Sequence, residues 1–127
     1  MVEVICDTNF LIHLATRKIK NIDSVNIEIG QIEFVVPTVV WNELVQMSIR
    51  SAQHRAAKKQ DVLKTLKFAR SLKNIPMSGT YADAAIVKHV KAHGGIIGTM
   101  DKELKSKIKH SGGSIMSFSN DKIVLES

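Results

Sequence analysis

Four carboxylates in this chain stand where chemistry is expected: Asp7 and Asp101 directly follow apolar, β-rich runs, and Glu43 and Asp83 sit among apolar residues at helical spacing. Around Glu43 the apolar neighbours are Val40, Leu44 and Met47, at i−3, i+1 and i+4; around Asp83 they are Ile86, Val87 and Val90, at i+3, i+4 and i+7. That spacing predicts both acids on or beside core-facing stripes, where charged groups are seldom buried without partners. Acids gathered in one pocket repel and push one another's pKa values upward unless a cation neutralises them. An oxygen-only donor set suits Mg²⁺ or Mn²⁺, so divalent-metal chemistry is the expectation. Each acid also has an ordinary role: Asp7 and Asp101 can cap helices, and Asp83 suits the positive end of a helix dipole. The set of four, with Glu43 in it, carries the metal reading.

Other chemistries fit less well. Of the five histidines, only His89 and His93 stand at i, i+4, and they have neither a cysteine partner nor the acid of an H-E-x-x-H motif, which argues against zinc. Gly94-Gly95 and Gly112-Gly113 lack the spacing of a phosphate-cradling loop. The lone cysteine, Cys6, lies in the apolar run Val4-Ile5-Cys6 and reads as a buried strand residue. Trp41, beside Val39 and Val40, reads as core or interface, with base stacking as the alternative.

These residues must be positioned by a scaffold, and the sequence outlines one. With 127 residues and 44% hydrophobic content the chain suits one compact domain, expected to span 1–127. No apolar run approaches a membrane span, and the N-terminus lacks a signal-peptide pattern, so a cytoplasmic protein is expected. Val2 to Cys6 reads as a strand leading through Asp7-Thr8-Asn9 into a helix carrying Phe10, Leu11 and Leu14. Glu33 to Val36 reads as a second strand, ending at Pro37 before a helix from about Val39 to Ser51. A basic amphipathic stretch with Val62, Leu66 and Ala69 continues it as a second helix or as one bent helix. Asn74-Ile75-Pro76 breaks that helix, Ser78-Gly79-Thr80 opens the one carrying Asp83, and Ile96 to Thr99 reads as a third buried strand before the helix that Asp101 caps. The end, from Ser114 through the turn-like Ser119-Asn120-Asp121-Lys122 to Leu125, predicts a hairpin or extra edge strand. The class is therefore α/β: a mostly parallel sheet flanked by helices in three layers. Sites in such sheets form beyond the carboxyl ends of the strands, which directs Asp7 and Asp101 into one crevice.

The net charge is +6, and setting the four acids aside leaves eight acids against 18 Lys and Arg. Eight of those bases (Arg50, Arg55, Lys58, Lys59, Lys64, Lys67, Arg70 and Lys73) fall in one stretch with a single acid, Asp61. Such a stripe fits a phosphate backbone, and from charge alone it fits a solvated helical face equally.

Four motifs in order now carry a resemblance: Cys6-Asp7-Thr8-Asn9-Phe10-Leu11-Ile12, Val35-Val36-Pro37-Thr38-Val39-Val40-Trp41-Asn42-Glu43-Leu44, Ala82-Asp83-Ala84-Ala85-Ile86, and Gly98-Thr99-Met100-Asp101-Lys102-Glu103-Leu104. Together the chain resembles PIN-domain ribonucleases over nearly its whole length. The small size and the pattern from Gly112 to Leu125 look most like the archaeal subgroup related to rRNA-processing PIN proteins. The resemblance implies that Asp7, Glu43, Asp83 and Asp101 hold one or two Mg²⁺ or Mn²⁺ ions, with Thr8, Asn9 and Thr99 orienting the carboxylates. It implies a metal-dependent endoribonuclease that cuts single-stranded RNA, in RNA maturation or as the toxin of a toxin–antitoxin pair, with the basic stripe on the RNA backbone. An antitoxin or pre-ribosome and a second copy of the chain are the implied partners. Two positions depart from the family pattern: Ala84 stands where many relatives carry a second acid, which weakens the second metal, and Met100 replaces a polar residue. A catalytically silent RNA-binding or ribosome-assembly module would keep the basic stripe without needing the acids. A receiver-type phosphoacceptor needs two adjacent N-terminal acids, and Glu3 and Asp7 are too far apart in a strand to be that pair.

Overall fold

The structure, a computed structural model, describes residues 1–50 and 56–126, with 56–58 described by backbone alone. In chain order the elements are β1 (Val2–Cys6), α1 (Thr8–Thr16), α2 (Ile22–Ile29), β2 (Ile32–Pro37), α3 (Thr38–Arg50), α4 (Ala56–Ala69), β3 (Lys73–Ile75), α5 (Ala82–His93), β4 (Ile96–Gly98), α6 (Lys102–His110), β5 (Ser114–Ser119) and β6 (Lys122–Glu126). The strands form one sheet in the order β3-β2-β1-β4-β5-β6, parallel throughout except for the antiparallel β5–β6 hairpin. The expected hairpin and the expected edge strand are thus the same element.

The order of strands explains the layers. From β1 the chain steps outward to β2 and β3, then returns across the sheet to β4 and steps outward the other way. Crossovers between parallel strands are right-handed, so reversing the direction moves the connecting helices to the opposite face. Accordingly α1, α3 and α4 pack on one another, and α5 packs on α6. Val4, Cys6, Val35, Ile97, Ile115 and Met116 of the strands are buried between the layers, meeting Phe10, Leu11, Leu44, Ile86, Leu104 and Ile108 of the helices. Cys6 is a fully buried free thiol, as its apolar setting predicts. Among the described residues, no helix is long and apolar enough to cross a membrane.

Two elements differ from the sequence expectations. The helix α2 falls in a stretch to which the sequence assigns no element, because only Val25 of its eight residues is buried and its apolar pattern is correspondingly faint. The strand β3 falls where the sequence shows a helix break; three residues long and lacking any fully buried side chain, it is recognisable chiefly by its pairing with β2. Lys73, counted with the basic stripe, is its first residue and pairs with Glu3 of β1 at 2.6 Å. The continuity of α3 and α4 falls on 51–55, outside the described residues.

The C-terminal hairpin turns through Asn120 and Asp121, both at positive φ (53° and 60°), the left-handed pair that a two-residue hairpin turn of matching twist requires. Asn21 then holds the outer side of β6: its amide oxygen accepts from Ile123 N at 2.7 Å and its amide nitrogen donates to Ile123 O at 3.1 Å.

At the centre of the sheet, Phe10 lies over Gly98 and stacks on Phe118, with ring centroids 4.5 Å apart and planes 14° apart. A Cβ on Gly98 would come within 2.6 Å of the Phe10 ring, so this position excludes every side chain unless the ring moves. Overpacking of this kind costs about 1–3 kcal/mol. Gly98→Ala is therefore expected to lower unfolding free energy by about that amount in urea titrations, with Phe10→Leu in the same background recovering part of it.

Candidate active site

The crevice at the reversal of strand order, between β1 and β4, is where three of the four acids, Asp7, Asp83 and Asp101, come within reach of one another's charge. Cys6 pairs with Gly98, and Asp7 N donates to Gly98 O at 2.9 Å, so the ends of the two strands emerge level. Asp7 is 6% exposed. One of its oxygens accepts from Phe10 N at 2.8 Å, capping α1, and the other accepts from the Thr99 hydroxyl. Asp101 caps α6 in the same manner, accepting from Leu104 N at 3.0 Å. The fully buried Thr99 joins the two acids, since its hydroxyl oxygen also accepts from Asp101 N at 3.1 Å. Capping and site geometry coincide in both residues: the caps fix where the carboxylates point.

Asp83 lies in the first turn of α5, exposed, beside these two. The electrostatics show the three carboxylates as one group. Burial, opposed by the Thr99 and Phe10 hydrogen bonds and reinforced by the charges of Asp83 and Asp101, pushes Asp7 up to about 6. Asp83 is also raised, by partial burial and then by Asp101, with Lys107 pulling the other way.

The expected burial of Glu43 and Asp83 on core-facing stripes does not hold. The buried line of α5 runs through Ala82, Ala85, Ile86 and Val90; Asp83 lies at the edge of that line, about 20° around the helix from Val90, but in the first turn, where it is exposed. Glu43 does share a side of α3 with Val39 and Val40, but what faces it is an open hollow rather than packed side chains. That hollow is lined by Glu43, Asn42, Gln46 and Arg50 on α3 and by Gly79, Thr80 and Tyr81 ahead of α5. Glu43 therefore lies in a hollow that shares Tyr81 with the one lined by Asp83.

Of the supporting residues named from the sequence, Thr99 contacts both Asp7 and Asp101. Asn9 is exposed. The buried hydroxyl of Thr8, the residue after Asp7, has no hydrogen-bond partner among the described residues. Of the basic stripe, Arg50 borders the hollow with Glu43, whereas Lys59, Lys64 and Lys67 of α4, and Arg70 just after it, line neither hollow beside the acids. Arg55 and Lys58 fall outside the residues whose side chains are described. Trp41 is half-buried against the core. His89 and His93 stack on each other at the C-terminal end of α5, ring centroids 4.6 Å apart.

The sequence reading missed a second set of cations. Lys88, Lys91 and Lys107 line a cavity of about 430 Å³ together with Asp83, Tyr81, Ala84 and Val87. Lys91 is at i+8 from Asp83, so helical spacing alone places it on that side; Lys107 arrives from α6 and only the fold brings it there.

The donor set offers oxygen atoms alone, on three mutually repelling carboxylates, and the buried Thr8 hydroxyl, in the residue that follows the most buried of them, lacks a partner among the described residues. Those features fit a hard divalent cation. Among the described residues, no three Asp, Glu, His or Cys side chains lie close enough together to hold a metal ion as they stand, so binding one would draw the carboxylates inward.

Comparison with known proteins agrees with this architecture. Residues 4–120 match the PIN-like domain family. Over 118 residues the chain is 28% identical to Ribonuclease VapC4 of Methanocaldococcus jannaschii, covering 91% of this chain and 89% of that one. The solved structure of the PIN domain endonuclease Utp24 superposes with a TM-score of 0.77 at 29% identity, over 98% of this chain and 90% of the other. A Pyrobaculum aerophilum protein of solved structure shares the fold, with a TM-score of 0.60 at 19% identity, over 90% of this chain and 89% of its own. With a match that spans most of its length and the acids gathered at the switch point of the sheet, the chain belongs to the PIN-like domain family.

Proposed function

We propose that this protein is a metal-dependent endoribonuclease that cleaves single-stranded RNA at the crevice between β1 and β4. The observation that carries the reading is Asp7: a carboxylate buried in the fold and pushed to about 6, set against two further acids. A fold gains nothing in stability from that arrangement, which is the kind of perturbation found at functional sites. The nuclease names of two relatives support the same reading, one a ribonuclease and one an endonuclease. In this reading Asp7, Asp83 and Asp101 bind Mg²⁺ or Mn²⁺ and Glu43 completes the set from the adjoining hollow. When bound, the ion supplies the positive charge that polarises the scissile phosphate and acidifies the attacking water. Asp7 and Asp101 are held in place by their caps and by Thr99, so the chain contributes fixed ligands rather than mobile ones. Thr8 and Asn9, beside Asp7, serve as further polar supports. RNA maturation, including that of ribosomal RNA in a pre-ribosome, or a toxin role with an antitoxin is the cellular context proposed, with a homodimer as its assembly.

Cleavage of single-stranded RNA is expected with Mg²⁺ or Mn²⁺ and is expected to fall at least a hundredfold in Asp7→Asn and in Asp83→Asn. Gel assays that show no cutting by wild type in either metal, or equal cutting by both variants, exclude the enzyme.

The raised pKa of Asp7 makes a separate prediction about stability. The folded chain holds this proton up to about pH 6, whereas the unfolded value is 3.8, so folding takes up a proton between those limits. Stability contributed by the protonated group is therefore lost as pH rises through that window, on the order of 3 kcal/mol above pH 6. In EDTA, the stability difference between Asp7→Asn and wild type is expected to grow from near zero at pH 4 to that size at pH 7.5. Mg²⁺ or Mn²⁺ should then raise the thermal midpoint of wild type and leave the variant unmoved. A difference that stays flat with pH contradicts the account. Thr99→Val, which strips the hydroxyl from both acids, is expected to raise the Asp7 pKa further in an NMR titration and to cost about 1–3 kcal/mol in stability.

A further inference from the structure

We propose that Tyr81, with Lys88, Lys91 and Lys107, forms the surface that holds single-stranded RNA beside the carboxylates: one unpaired base stacks on the Tyr81 ring while the lysines take the adjoining phosphates. This inference rests on the nuclease reading and names residues that the sequence motifs do not contain.

Tyr81 is 73% exposed, although the chain's other aromatic rings (Phe10, Phe34, Trp41, Phe68 and Phe118) are all buried or half-buried. It immediately precedes α5 and makes no side-chain cap to the helix, so its ring is not spent on local structure. Its position is particular: it lines both hollows at the site, the one containing Glu43 and Arg50 and the one containing Asp83 with the three lysines. The ring thus stands at the border that the two hollows share. Every base has a flat face to stack there, and only an unpaired base can present it.

The charges favour the same occupant. A phosphate backbone approaching Asp7, Asp83 and Asp101 meets repulsion unless cations stand close by. Lys107 is near enough to Asp83 to oppose its upward pKa shift, and its one acidic contact is an exposed pair with Glu103 at 3.4 Å. Lys88 and Lys91 make no ion pair among the described residues. All three are exposed, line the same cavity and remain available to phosphate. Lys59, Lys64, Lys67 and Arg70 line neither hollow, which moves the expected RNA track away from that part of the basic stripe that the sequence singles out.

The test measures binding in EDTA, so that affinity is read without cleavage, using a labelled oligouridine of about twelve nucleotides and the same oligonucleotide paired with oligoadenosine. Wild type is expected to prefer the single strand. Tyr81→Ala should lose about tenfold in single-strand affinity, together with most of that preference, while Tyr81→Phe retains both. The triple replacement Lys88→Ala, Lys91→Ala, Lys107→Ala should flatten the log–log salt dependence by about 2, from three phosphate contacts. Tyr81→Ala binding with unchanged affinity and preference overturns the inference, as does a triple variant with an unchanged salt slope. The two proposals fail separately: a wild type that cuts RNA while these variants bind normally removes the surface and leaves the nuclease. A wild type that never cuts but shows the expected binding pattern keeps the surface and removes the nuclease.

Discussion

The buried carboxylate of Asp7 is the constraint around which the rest is arranged. A charge this far from water is tolerated only because donors are already in place: Phe10 N from the first turn of α1 and the Thr99 hydroxyl from beyond β4. The first donor requires a helix to begin at the residue after β1. The second requires β4 to lie directly beside β1 with their ends level. The sheet order and the Cys6–Gly98 register meet both conditions. The glycine at that register position in turn leaves room for Phe10, whose ring anchors the start of α1.

The same arrangement divides the labour between the layers. One face of the sheet carries α1, with the caps that fix Asp7; the other carries α5 and α6, which bring Asp83, Asp101 and Lys107. Only at the strand ends, where α3 approaches α5, do the two layers face each other across open space. A binding crevice is therefore a by-product of reversing the strand order, and acids placed just after β1 and β4 enter it without further engineering. The arrangement sets stability against chemistry, since the residue held most tightly is also the one whose ionisation the fold resists.

Much of this was legible in the sequence. Asp7 and Asp101 each follow an apolar run and precede an apolar helical pattern, and these local signals survive folding unchanged, because strand, cap and helix are adjacent in the chain. Thr99 was legible only through the resemblance, and its double contact belongs to the register of β4. Helical spacing misled for Glu43 and Asp83, because a stripe reports direction around a helix and says nothing about whether protein or open space lies opposite. The basic stripe shows the same limit: charge counted along the chain favoured α4, while the cations nearest the acids come from α5 and α6. Lys107 and Asp83 are 24 positions apart in sequence, and no local pattern joins them. The strand β3 was hidden for a related reason, its identity residing in a neighbour rather than in its own residues.

The bidentate grip of Asn21 on Ile123 bears on how this protein meets others. The outermost strand of a sheet offers unpaired backbone groups to any passing strand, and natural proteins blunt such edges. Here a side-chain amide, with one donor and one acceptor spaced like a peptide, occupies the place that a seventh strand would take. The sheet is closed at Ile123 by imitation of its own hydrogen bonding. Copies of this chain at high concentration therefore find no template for strand addition at that point.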